Sequence, residues 1–171
     1  MIAIQPEREE DYTAIHEINV LAFGQENEAR LVKKIREAPD FIPELSLVAI
    51  KNGRVVGHIL FGRITIQSKA GSFPALALAP MAVHPEFQNQ GIGAKLVRQG
   101  LERCRNQGHK IVVVVGHPQY YPRFGFSAAR AKGLEAPFPV PDEVFMVLEL
   151  VPGALHGSTG MVAYPPEFLD A

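Results

Sequence analysis

Apolar residues recur along this chain with two different periods, and the change from one to the other marks where helices give way to strands. Residues 2–5 read as a short strand. From Glu9 onward, Ile15, Ile18, Val20 and Leu21 set out an apolar helical stripe, which Gly24 ends. A second helix is predicted over 27–37, with Leu31, Val32 and Ile35 on one face and Pro39 and Pro43 breaking the pattern beyond it. Two apolar runs, 45–50 and 55–66, flank Asn52-Gly53, a dipeptide suited to the positive φ angles of a tight hairpin. Residues 68–74 form a polar, glycine-bearing turn, and 75–83 returns as the third strand of a meander.

The clearest helix is 91–105, where Ile92, Leu96, Val97, Leu101 and Cys104 recur at helical spacing before Gly108. Ile111-Val112-Val113-Val114-Val115 is an unbroken β-branched run, too short for a buried helix and suited to a central strand covered on both faces. Residues 118–124 read as a short helix or turn, 137–141 as a proline-rich loop, and 144–150 as another strand. The stretch 152–171 is loop-rich, with one short edge strand near 161–164. The expected organisation is a single domain over 1–171, with 1–150 as its core and 151–171 as a loop-rich C-terminal extension.

Composition narrows the chemistry. At 171 residues and 47% apolar the chain has material for one buried core. Seventeen basic against 18 acidic residues give a net charge of -1, so neither nucleic acid nor a membrane surface is expected as partner, and any anionic ligand must be bound locally. The single cysteine, Cys104, excludes an internal disulfide or a cysteine-rich zinc cluster and fits a reducing, cytoplasmic setting. Glu7, Arg8, Glu9, Glu10 and Asp11 leave no apolar signal core, and no run of about 18 apolar residues occurs. No histidine pair has metal-ligand spacing, so no metal is expected.

Gln88-Asn89-Gln90-Gly91-Ile92-Gly93 lies between the strand ending at Val83 and the helix starting near Gly91. Taken alone, two glycines in a loop serve backbone geometry. At the opening of a helix, however, backbone N–H groups lack partners and the dipole favours negative charge, so a glycine-rich entry can receive a pyrophosphate. A Walker loop needs Gly-Lys-Ser/Thr, whereas Gly93 is followed by Ala94-Lys95. A dinucleotide fingerprint needs three glycines after the first strand, whereas this loop comes late and has two.

The run Pro80-Met81-Ala82-Val83-His84-Pro85-Glu86-Phe87-Gln88-Asn89-Gln90-Gly91-Ile92-Gly93 resembles the acetyl-CoA motif of the GNAT N-acetyltransferases, whose loop reads Q/R-x-x-G-x-G/A. Tyr121-Pro122-Arg123-Phe124-Gly125-Phe126 resembles that family's Tyr-x-x-x-Gly-Phe segment, and its wording is nearest to the YhbS-like branch. The resemblance implies an α/β fold: a mixed, mostly antiparallel sheet of about six or seven strands, flanked by about four helices, with a splayed parallel strand pair at the acetyl-CoA site. It implies that amides of Gln90, Gly91, Ile92, Gly93 and Ala94 hold the pyrophosphate, with Gln88 and Asn89 shaping the loop. Met81, Ala82 and Val83 would pair with the pantetheine arm, and the Met81 amide would polarise the thioester carbonyl. Tyr121 would sit near the CoA sulfur, and a phenol near pKa ~10 facing a thiol near ~8.5 makes full proton transfer uphill by about 2 kcal/mol, which favours hydrogen bonding to the departing thiolate.

The implied activity is direct transfer of acetyl from acetyl-CoA to an amine of a small molecule or peptide, by a monomer or homodimer. An acyl-CoA sensor without transfer, or an enzyme for longer acyl thioesters, stays open. Where some relatives carry a glutamate base this chain has Ala77. Glu26 and Glu28 are expected on a solvated helix face, and His84 on a surface loop with a proton relay as its alternative. His58 and His117 are unassigned, and Cys104 is expected to be buried and structural.

Overall fold

The two periods translate into helices and strands over residues 1–169, the part of the chain that the computed structural model describes; residues 170 and 171 of the expected extension lie outside the described residues. The described residues group into two compact units, one built from Met1–Gly62, Ala79–Arg103 and the residues from Pro166, the other from Arg63–Leu78 and 104–165.

In the first unit, β1 (Ile2–Pro6) lies antiparallel to β2 (Ser46–Lys51), with Ile4 opposite Ala49. β2 turns back on β3 (Arg54–Ser68), with Val48 opposite His58. The turn between them carries φ 52° at Asn52 and 76° at Gly53, as the dipeptide predicts. A short 3-10 turn, Glu9–Asp11, precedes helix α1 (Tyr12–Phe23), and the Arg8 amide donates to Asp11 Oδ2 at 2.9 Å. Gly24, at φ 69°, closes α1 by donating its N–H to the Val20 carbonyl.

The buried face of α1 is narrower than its apolar stripe. Ile15, Ile18 and Asn19 are buried, whereas Val20 is half-buried and Leu21 is 46% exposed. At about 100° per residue, positions 20 and 21 turn away from the centre of the 15/18/19 face. Helix α2 (Asn27–Glu37) contributes Leu31, Val32 and Ile35 to a cluster with Ile15, Val48 and Leu60. Helix α3 (Ile92–Asn106) starts in this unit, and its approach depends on Gly57. A Cβ there would meet Leu96 Cδ1 at 3.0 Å and Ile92 Cγ2 at 3.3 Å, so a missing side chain on β3 seats the opening of α3.

β4 (Gly71–Val83), of which residues 71–78 belong to the second unit and 79–83 to the first, begins four residues ahead of the expected start at 75. It is parallel to β5 (Ile111–Val115), with Leu76 opposite Val112 and Ala77 opposite Val113. On its other side β5 is antiparallel to β8 (Phe145–Glu149), which also pairs with β6 (Ser127–Ala128). β9 (Gly160–Ala163) lies between the end of β3 and β7 (Leu134–Glu135), so it is flanked on both sides instead of forming an edge. The two extra strands, β6 and β7, have two residues each, too few to show a period. With α4 (Pro166–Leu169), which belongs to the first unit, the fold is mixed α/β: four helices and an open, mostly antiparallel sheet that includes the parallel β4–β5 pair. No helix among the described residues is long and apolar enough to cross a membrane.

Candidate active site

The glycine-bearing loop of the first unit leaves a row of backbone donors unpaired. The first amide drawn into α3 is that of Lys95, which donates to the Gly91 carbonyl at 3.1 Å, so the amides of Ile92, Gly93 and Ala94 precede the helical ladder. Asn89 at φ 64° and Gly91 at φ 83° are both left-handed and bracket Gln90, a backbone pattern that turns successive N–H groups toward one concavity. A Cβ on Gly91 would meet nothing within 4 Å, so the approach from that side is open. These residues fit an anionic diphosphate: donors without acceptors, the positive end of a 15-residue helix, and space in front of them.

The same loop is tied to the end of β4. Gln88 Nε2 donates to the Val83 carbonyl at 3.0 Å, which brings Met81, Ala82 and Val83 together with 88–94. Two cations from the β2–β3 hairpin join them: Lys51 Nζ donates to Gln90 Oε1 at 3.3 Å, and Arg54 lies 3.6 Å from Glu86 with its guanidinium over the Phe87 ring. Neither was legible in the sequence, because each stands 30 or more residues from its partner.

His84 corrects the expectation of a surface histidine, since it is 9% exposed. Its Nδ1 accepts from the Glu86 amide at 3.1 Å and its Nε2 lies 3.2 Å from Arg54 Nη2. Both ring nitrogens are therefore occupied in shaping the 3-10 turn Pro85–Phe87.

Tyr121 belongs to the second unit, where it opens the 3-10 turn Tyr121–Phe124. Its ring is buried edge-on against Phe126 at 5.8 Å and Tyr120 at 5.2 Å. It also rests on Gly116, where a Cβ would come within 2.5 Å of Tyr121 Cε2. The Tyr121 hydroxyl has no hydrogen-bond partner among the described residues. Burial, and then the neighbouring Tyr120, push its phenol up to about 12. Proton transfer from such a group to a thiolate near pKa ~8.5 is uphill by about 5 kcal/mol, which leaves hydrogen-bond donation as its accessible chemistry. Tyr120 is half-buried and carries Arg123 over its ring.

The remaining candidates have structural partners or none. Ala77 is buried in β4 opposite Val113. Glu26 lies 3.6 Å from Arg30, and Glu28 accepts from Gln25 Nε2 at 3.0 Å. His117 is exposed, and its carbonyl accepts the Tyr121 amide. Cys104 is fully buried, and burial pushes its thiol up to about 12, which disarms it as a nucleophile. His58 is fully buried in a polar cluster of the first unit with Glu7, Arg36 and Ser46, far from the surface role of most histidines. No group of metal-binding side chains occurs among the described residues.

Residues 3–129 match the family description "Acetyltransferase (GNAT) domain", so the chain belongs to the GNAT acetyltransferases and is an N-acetyltransferase of that class. It is 45% identical over 134 residues to the uncharacterized N-acetyltransferase YjhQ of Escherichia coli strain K12, covering 78% of this chain and 74% of YjhQ. Its fold matches the crystal structure of the GNAT family N-acetyltransferase YhbS from Escherichia coli in complex with CoA, with TM-score 0.90 at 32% identity over 98% of this chain and 92% of that one. A GNAT family acetyltransferase from Brucella melitensis, in complex with acetyl-CoA, matches with TM-score 0.78 at 31% identity over 98% of both chains.

Proposed function

We propose that this protein binds acetyl-CoA and passes its acetyl group directly to an amine of a small molecule or peptide. The observation that carries the reading is the row of amides ahead of the α3 ladder, Ile92, Gly93 and Ala94, entered through the left-handed Asn89 and Gly91, with Gln90 and Gly91 added to it in this reading. Those amides take the diphosphate, with Lys51 and Arg54 adding positive charge beside it. Met81, Ala82 and Val83 line the pantetheine arm, and the Met81 amide polarises the thioester carbonyl as negative charge develops on its oxygen. Tyr121 donates a hydrogen bond to the departing sulfur without surrendering its proton. The buried, high-pKa Cys104 supports a single transfer step with no acyl-enzyme. In this reading 1–171 acts as one acyltransferase domain, cytoplasmic, as a monomer or homodimer.

The test is calorimetry with acetyl-CoA and CoA, followed by turnover with mixed amines, polyamines and peptides. Binding and transfer are expected, and Tyr121→Phe should lower kcat about tenfold or more while leaving the CoA affinity within about threefold. Absence of any binding heat in a folded sample would remove the proposal. Tight binding with no transfer to any amine would assign the chain to acyl-CoA sensing instead.

A further inference from the structure

A cavity of about 510 Å³ opens in the second unit where β5 begins. That volume lies within the usual span of small-molecule sites, ~300–1,000 Å³. Phe73 from the start of β4, Ile111 from β5 and Val151 from the turn after β8 give it apolar walls. Every titratable side chain on those walls is basic: His109, Lys110 and His156. Lys110 and His156 are exposed, and their side chains make no ion pair among the described residues. Glu149, the carboxylate on the strand that leads into the turn, is committed to the Leu155 amide at 2.9 Å.

Ser158 supplies a second, independent sign. It lines the cavity and is 8% exposed, yet its hydroxyl has no hydrogen-bond partner among the described residues. The hydroxyl therefore keeps its donor and acceptor capacity for a group that enters from the cavity.

We propose that this cavity binds a small organic monocarboxylate carried on an apolar or aromatic body. Lys110 supplies one full positive charge, Ser158 and the two imidazoles supply hydrogen bonds, and the apolar walls take the body of the ligand. β5 runs from Ile111 at the cavity to Val115, so Gly116 and Tyr121 lie beyond its opposite end, about 13 Å along the strand. The carboxylate site is thus separate from Tyr121 and does not depend on the role given to that residue.

The experiment is titration of the full-length, ¹⁵N-labelled protein with 3-phenylpropionate, and in parallel with the uncharged 3-phenylpropanamide, each to ~10 mM. Chemical-shift changes are expected at the amides of Lys110, Ile111 and 153–158 with the carboxylate, and at least tenfold weaker binding with the amide. Lys110→Glu should weaken the carboxylate at least tenfold with an unchanged melting temperature, and Lys110→Gln serves if the charge reversal unfolds the protein. No shifts, equal binding of both compounds, shifts confined to 88–94, or full affinity in a folded Lys110 variant would each overturn the proposal.

Discussion

Replacing Glu7 by glutamine should expose how much of the first unit hangs on one buried carboxylate. Glu7 accepts a two-pronged bond from Arg36, with Nε at 2.7 Å and Nη2 at 2.9 Å, while its side chain is only 2% exposed. The Ser46 hydroxyl donates to the same carboxylate, and His58 Nε2 lies 3.5 Å away. Burial alone would raise the Glu7 pKa, but the bonds from Arg36, His58 and Ser46 and the charge of Arg36 outweigh it and hold the group at about 2. Against an unfolded value of 4.5 that is a difference of about 2.5 pKa units, or roughly 3 kcal/mol of stability.

Because the folded pKa is depressed, this contribution is complete above pH 4.5 and drains away as pH falls toward 2. Glu7→Gln leaves the Arg36 guanidinium, only 14% exposed, without its counter-charge, so a loss of about 3 kcal/mol at pH 7 is expected. Urea unfolding from pH 7 down to pH ~2 measures it: wild type and variant should differ most at neutral pH and converge in acid. A loss under about 1 kcal/mol at pH 7, or a gap that stays constant down to pH ~2, would refute the reasoning.

Three further outcomes are expected. Gly116→Ala should push the Tyr121 ring from its seat, since the new Cβ falls 2.5 Å from Cε2, and steady-state kinetics should show kcat down about ten- to a hundredfold with CoA affinity kept. Gly91→Val has room for its side chain but must hold φ at 83°, so calorimetry should find CoA bound about tenfold or more weakly, whereas Asn89→Gly should bind as wild type. Native protein should resist a thiol reagent at pH 8, where a thiol at about 12 is almost wholly protonated, and react at once in urea; fast native labelling would contradict the burial of Cys104.

The elements that could be read from the sequence are those whose information is local. The Asn52-Gly53 hairpin, the α3 stripe with Cys104 facing inward, and the β-branched β5 each declare themselves within a few residues. The polar cluster around Glu7 does not, because its partners lie 29 and 39 residues away and Ser46 and His58 look like ordinary strand residues. The burial of His84 is hidden for the same reason, since Arg54 and Val56, which meet it, lie about 30 residues earlier in the chain. Gly57 and Gly116 carry no sequence signature of their roles, since each is defined by what another element lays against it. The glycine-bearing loop at the opening of α3 is legible because its geometry is backbone geometry, set by two glycines and the start of a helix.

Ala77 carries a consequence for which amines this enzyme can serve. A methyl group packed opposite Val113 takes no proton, so the charge state in which an amine arrives matters more here than where a carboxylate stands in that position. At neutral pH about a tenth of a chain-terminal α-amine is uncharged, against well under a thousandth of a lysine ε-amine. The proposed transfer is therefore expected to favour weakly basic amines, and the acid limb of the rate profile should shift with the acceptor used.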